Sequence, residues 1–145
     1  MIGLLQRVSE ASVSVHGEAV ARIGRGILVL VGIEKSDTQQ NCRRLADRLL
    51  SYRVFPDESG RMNLSVSDID GGVLLVPQFT LAADTRKGTR ASFTSAAPPE
   101  SARLLFVRLV EETGGRHAGT ASGIFGADMQ VALVNDGPVT FWLSG

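Results

Sequence analysis

Two short segments of this sequence offer unusual chemistry. Asn135-Asp136-Gly137-Pro138-Val139-Thr140 places a Gly-Pro pair between two apolar stretches. Glycine lets a backbone approach a ligand closely, while proline fixes φ and removes an amide donor. The carbonyl oxygens of such a segment are rigid acceptors that depend on no side chain. The same residues also read plainly as a hairpin turn joining two strands, with a proline able to adopt the cis peptide of tight turns. The second segment, Pro77-Gln78-Phe79-Thr80-Leu81, ends an apolar run and offers a hydroxyl at Thr80. Taken alone, that threonine is also an ordinary β-strand choice. A third feature is basic: Arg86, Lys87 and Arg90 cluster with Asp84 as the nearby acid. They read equally as a grip on nucleic-acid phosphates or as a solvated loop.

Other chemistries find little support. His16 and His117 are the two histidines and Cys42 the one cysteine, and none falls in a metal-ligand spacing. No metal or other cofactor is expected. Both histidines read as surface residues, and Cys42 as a small buried hydrophobe. No P-loop, nucleophile elbow or Ser-His-Asp set can be drawn. Gly24-Arg25-Gly26 precedes a strand-like run, so it reads as a turn.

The 145 residues carry 15 basic and 15 acidic side chains and 43% apolar residues. These values predict one soluble domain over residues 1–145 and argue against a general, strongly basic nucleic-acid binder. A lone cysteine excludes an internal disulfide and fits a reducing, cytoplasmic setting. No apolar run approaches the ~18 residues of a membrane span, and the N-terminus lacks the pattern of a signal peptide.

The elements that must position these residues are mostly strands. Leu4–Val15 alternates, His16-Gly17 reads as a hairpin turn, and Glu18–Ile23 follows. Ile27–Ile33 reads as a central strand buried on both faces. Cys42, Leu45, Ala46, Leu49 and Leu50 mark one helix face, with Ser36-Asp37 as its expected cap. Ala102, Leu105, Phe106, Leu109 and Val110 mark a second helix, opened by Pro98-Pro99 and closed by Gly114-Gly115. Gly72–Val76, Thr120–Phe125, Met129–Val134 and Val139–Leu143 complete the strands. Residues 82–97 lack periodicity and form a long loop, a length usually tied to function. With no βαβ alternation evident, the reading is an α+β fold, a β-rich curved sheet or open barrel with two packed helices.

The sequence closely resembles the D-aminoacyl-tRNA deacylases. Their Ser-Gln-Phe-Thr-Leu and Asn-x-Gly-Pro-Val-Thr motifs stand here at 77–81 and 135–140, with Pro77 replacing the serine. Similar segments include Gln6-Arg7-Val8, Arg61-Met62-Asn63-Leu64, Ala82-Ala83-Asp84-Thr85 and Ala127-Asp128-Met129-Gln130-Val131, so the likeness spans nearly the whole chain. Ala91 replaces a proline of the family. The resemblance implies a homodimer with sites at its interface, hydrolysis of D-aminoacyl-tRNA and rejection of L-aminoacyl-tRNA. It implies that Gly137-Pro138 is cis and enters the partner's pocket to read chirality. It also implies that Gln78, Phe79 and Thr80 line that pocket, that Arg7 holds the Gly-Pro segment, and that Phe125 and Met129 wall an adenosine site. Mischarged glycyl-tRNA(Ala) is an expected further substrate.

On this reading the amides of Phe79 and Thr80 serve a developing oxyanion. Two mechanisms stay open: attack by Thr80, which needs a base the sequence does not offer, or water activated by the substrate's own ribose 2′-hydroxyl. The preferred tRNA and amino acid are not legible. Rival readings are a hydrolase of free D-amino-acid esters and a non-catalytic RNA-binding module.

Overall fold

The computed structural model describes residues 1–145. The longest strands come from the two ends of the chain. β1 (Ile2–Val15) and β8 (Gln130–Ser144) pair antiparallel along most of their length. β1 also pairs with β2 (Glu18–Ile23) and β3 (Gly26–Gly32). The β1–β2 turn is His16-Gly17, with φ of 50° and 80°, the left-handed pair that suits a two-residue hairpin. β3 runs parallel to β6 (Gly72–Pro77), and β6 parallel to β7 (Thr120–Ser122).

Each parallel step contains a helix: α1 (Gln39–Ser51) between β3 and β6, and α2 (Pro99–Gly114) between β6 and β7. The first connection also holds a small ribbon, β4 (Phe55–Pro56) and β5 (Met62–Leu64). The expected absence of βαβ order is therefore corrected locally. The ribbon and the long 82–97 segment hide the two crossovers from a periodicity reading. The mixed, rolled sheet with two packed helices is otherwise the expected architecture.

Two cores lie on the two faces of this sheet. Leu5, Ile27, Val29, Val31, Val73 and Leu75 face the helices, where they meet Leu45, Leu49, Phe106 and Leu109. Leu28, Leu74 and Val76 alternate to the opposite face and are covered by Val8, Ala11, Val13 and Ile23. Val8 and Val13 have opposite parity, so a strictly alternating strand would point them apart. The register explains their agreement. Val8 pairs with Asn135 but Glu10 pairs with Val134, so β1 carries an extra residue here. Ser9 and Glu10 are consecutively exposed at this bulge. Such a bulge bends its strand and raises local twist, which lets the far half of β1 roll over the second core.

α1 buries the whole predicted stripe, whereas in α2 Ala102, Phe106 and Leu109 are buried and Leu105 and Val110 half-buried. The cap of α1 is shifted, however: the Thr38 amide donates to Asn41 Oδ1 at 2.8 Å. Asp37 is committed elsewhere. Its carboxylate accepts from the Met1 ammonium and, at 2.7 Å, from the Glu34 amide. A buried ammonium requires such a partner. Burial pushes the Cys42 thiol up to about 11, reinforced by the nearby Asp37 charge.

His117 departs from its expected surface position. It is buried after α2, with Nε2 at 2.6 Å from the Gly71 carbonyl oxygen, and ties that helix end to the start of β6. His16 is exposed in its turn. The predicted strand at 120–125 contracts to Thr120–Ser122, its pairing with β6 ending at Leu75. The 82–97 segment is pinned rather than free-running. Asp84 and Ser92 exchange backbone hydrogen bonds of 2.7 and 3.0 Å, and the Ala97 amide donates to Ile33 O. No helix is long and apolar enough to cross a membrane.

Candidate active site

β3, β6 and β7 point their carboxyl ends the same way. Connections leaving parallel strands diverge there, and the opening between them is where ligands of such sheets bind. A cavity of about 750 Å³ occupies this position, and most of its lining is apolar. Pro77 and Gln78 reach it from the end of β6, and Phe125 and Met129 from the segment after β7. Phe79 and Phe93 stand at the wall, with ring centroids 5.2 Å apart. Phe79 is 60% exposed although it is a large aromatic residue.

Local pairing fixes this wall. The Gln78 amide donates to Val31 O at 2.7 Å, which extends the β3–β6 ladder one step past β6. The chain then tightens into a 3₁₀ turn, Phe79–Ala82. The leading amides of such a turn have no partner within it; Phe79 lines the cavity, whereas Thr80, next along the turn, lies outside its lining. Thr80 is exposed and its hydroxyl accepts from Gln78 Nε2. No Asp, Glu or His lines the cavity. Pro77 sits where the β7 pairing has already ended, so its missing N–H breaks no ladder on that side.

Arg7, Gly137 and Pro138 form a second cluster, outside the lining of this cavity. The expected hairpin turn at 135–140 is not what forms. Residues on both sides of it belong to β8 and pair with the same strand in the same sense. Two steps along β1, Gln6 to Val8, match five along β8, Thr140 to Asn135. Asp136, Gly137 and Pro138 are thereby extruded as a bulge, and all three are exposed. The Gly137–Pro138 peptide is cis, and Gly137 has φ 143°. A Cβ on Gly137 would lie 2.7 Å from Val139 Cγ2 and 3.2 Å from an Arg7 Nη atom, so the position demands glycine.

Polar side chains clasp the bulge at its base. Asn135 Oδ1 accepts from the Val139 amide at 2.7 Å, and its Nδ2 donates to Thr140 Oγ1 at 2.9 Å. Arg7 Nε donates to Asp136 O at 2.8 Å, while Nη1 donates to Val54 O at 2.6 Å. The Arg7 side chain is 13% exposed, with the Asp136 carboxylate 3.7 Å from Nε. One guanidinium therefore locks the bulge to the chain leaving α1, which a single-point ammonium cannot do.

The basic loop is split. Arg86 forks onto Asp84 with bonds of 2.9 and 2.6 Å, which leaves its charge compensated. That side chain and the Arg86 amide hold the Asp84 carboxyl well below the usual carboxylate range. Lys87 and Arg90 are exposed and make no ion pair. Sequence reasoning did not single out the Lys35 and Phe93 contributions to the cavity or the Asn135 clasp. Phe93 had one signal, as an aromatic inside a polar loop. Lys35 had another, as the first basic residue beyond the buried Ile27–Ile33 run.

Comparisons with known proteins place the chain in a family. A protein of Thioalkalivibrio sulfidiphilus called D-aminoacyl-tRNA deacylase is 63% identical over 143 residues, 99% of this chain and 96% of that protein. One of the same name from Alkalilimnicola ehrlichii is 61% identical over 143 residues, 99% of this chain and 95% of that protein. A solved structure titled c-Myc DNA Unwinding Element Binding Protein matches with TM-score 0.95 and 42% identity, covering 100% of this chain and 99% of that one. A probable eukaryotic D-amino acid tRNA deacylase shares the fold, with TM-score 0.85 at 17% identity over 99% of this chain and 98% of its own. The profile described as D-Tyr-tRNA(Tyr) deacylase matches residues 4–144, and the chain belongs to that family.

Proposed function

We propose that the protein hydrolyses the ester bond of D-aminoacyl-tRNA, releasing free D-amino acid and tRNA. The observation that carries this reading is the pairing of an apolar cavity with a clasped, carbonyl-bearing bulge that lies outside it. Phe125 and Met129 flank the space for the terminal adenine. Gln78, Phe79 and Thr80 form the reacting edge, where backbone amides stabilise the oxyanion as water attacks the ester carbonyl. Because no carboxylate or imidazole lines the cavity, the substrate's 2′-hydroxyl orients and activates that water. Thr80 is not the nucleophile on this mechanism.

Gly137 and Pro138 do not line their own chain's cavity. A second copy supplies them. The exposed Trp142 pairs across β8–β1 with half-buried Leu4, which pairs in turn with Leu30 of β3. These side chains make an apolar strip on the sheet face suited to burial between two copies. At the joined site the bulge backbone leaves room only for hydrogen on one side of the substrate Cα. An L side chain collides with it, whereas a D side chain points away. Glycine has no side chain to reject, so glycyl-tRNA(Ala) is a substrate too. Lys87 and Arg90 engage acceptor-stem phosphates, with Arg86 tied to Asp84.

Parallel hydrolysis assays on D-Tyr-tRNA, L-Tyr-tRNA and a free D-Tyr ester test this reading, with light scattering to weigh the particle. The expected result is a dimer that is active on D-Tyr-tRNA alone. Equal rates on the D and L substrates remove the chirality filter. Equal efficiency on the free ester makes the protein a general esterase, and binding without turnover makes it an RNA-binding module.

A further inference from the structure

Lys35 is the one charged side chain lining the apolar cavity. It follows β3, and its amide donates to Ser95 O at 3.0 Å, which fixes its backbone at the cavity edge. Its side chain is exposed and forms no ion pair. The carboxylates nearest in sequence, Glu34 and Asp37, are both occupied by the Met1 ammonium. An uncompensated cation on the rim of an apolar chamber suits an anionic ligand whose remaining surface is flat and uncharged. A 5′-phosphorylated nucleoside has that form: a base for the aromatic wall and a phosphate at a fixed distance from it.

We infer that Lys35 binds the phosphate immediately 5′ to the terminal adenosine of the substrate. The inference rests on the proposed function for the identity of the nucleoside, but the phosphate subsite is measurable without any turnover. Its consequence is affinity. The loop residues Lys87 and Arg90 lie outside the cavity. Lys35 holds the last phosphate equally in the ground and transition states, so its loss weakens binding without slowing the chemical step. Lys35 is thus a binding residue and takes no part in proton transfer.

Binding of adenosine and of adenosine 5′-monophosphate to the full-length protein provides the test, measured by titration calorimetry on wild type, Lys35→Gln and Lys35→Arg. Wild type is expected to prefer the monophosphate by about fivefold, the upper range for an exposed ion pair. Lys35→Gln should bind both ligands equally, at the wild-type affinity for adenosine, and Lys35→Arg should restore the preference. On D-Tyr-tRNA, Lys35→Gln should raise KM at unchanged kcat and reduce the salt slope of binding by about one. The inference is overturned if wild type shows no preference, if Lys35→Gln keeps it, or if kcat falls while KM stays fixed. A monophosphate preference that depends on Lys35, found without hydrolysis of D-Tyr-tRNA, supports the phosphate subsite and sinks the deacylase reading instead.

Discussion

The cavity and the bulge are built by opposite means. The cavity is a by-product of the sheet: parallel strands end together, their connections part, and apolar side chains line the gap. Its shape rests on many interchangeable hydrophobic contacts, which tolerate single changes of similar volume. The bulge residues Asp136, Gly137 and Pro138 contribute nothing to the buried cores. Its position depends on a few directed hydrogen bonds from Arg7 and Asn135 and on one glycine with no room for a side chain. On the proposed function the site needs both, and so has one robust half and one brittle half. Substitutions in the brittle half should cost far more activity per atom removed.

The sharpest break of that contrast is Gly137→Ala. The added methyl displaces the bulge while β8 keeps its pairing on both sides, so deacylation of D-Tyr-tRNA should fall by about 100-fold, as for a reacting geometry misplaced by an ångström. Circular dichroism should show the fold retained, and near-normal turnover would refute the role given to the bulge. Next comes Arg7→Lys. One ammonium cannot span Asp136 O and Val54 O together, so the expected loss in kcat/KM is about tenfold, the cost of one charge-assisted hydrogen bond. Its signature is relaxed discrimination against L-Tyr-tRNA, and unchanged D/L selectivity would reduce Arg7 to a packing residue.

At the proposed reacting edge, Thr80→Ala should change kcat by no more than about threefold, because the backbone amide survives the substitution. Loss of all activity in a folded protein that still binds tRNA would make Thr80 the nucleophile and reverse the assignment of the reacting edge. The smallest effect lies in the core beneath. The Cys42 thiol titrates at about 11 in the folded protein against an ordinary value of 9.0. The folded state therefore holds this proton more tightly than the unfolded chain. Stability is unaffected below about pH 9 and declines from there to about pH 11. Thermal melts across that window should show a shallower decline in Cys42→Ala, and an identical decline would mean the thiol is not the titrating group.

Much of this was open to reading in the chain. The periodicity of 42–50 and 102–110 and the two-sided apolar run at 27–33 place the helices and the central strand. Motifs at 77–81 and 135–140 point to both halves of the proposed site. Less legible were features that depend on long-range pairing. Asn-Asp-Gly-Pro carries strong turn chemistry, yet it forms a bulge because β1 is long enough to pair with both flanks. His117 looked like a surface residue because its acceptor, Gly71 O, lies 46 positions away. Lys35 gains meaning only when β3 and β6 end side by side.

By itself the sequence determined which stretches are apolar, which residues bend or stiffen the backbone, and which chemical groups exist to be used. These are properties of single residues and short spacings, set by side-chain volume, polarity and allowed φ. Tertiary structure decided the partners. It turned Asp37 from a helix cap into the counter-ion of Met1, tied Arg86 to Asp84, and joined Arg7 to a bulge far along the chain. It also separated Gly137-Pro138 from the cavity of its own chain. The physical reason is that a hydrogen bond or ion pair depends on distances of a few ångströms between segments, which strand register sets and local composition does not encode.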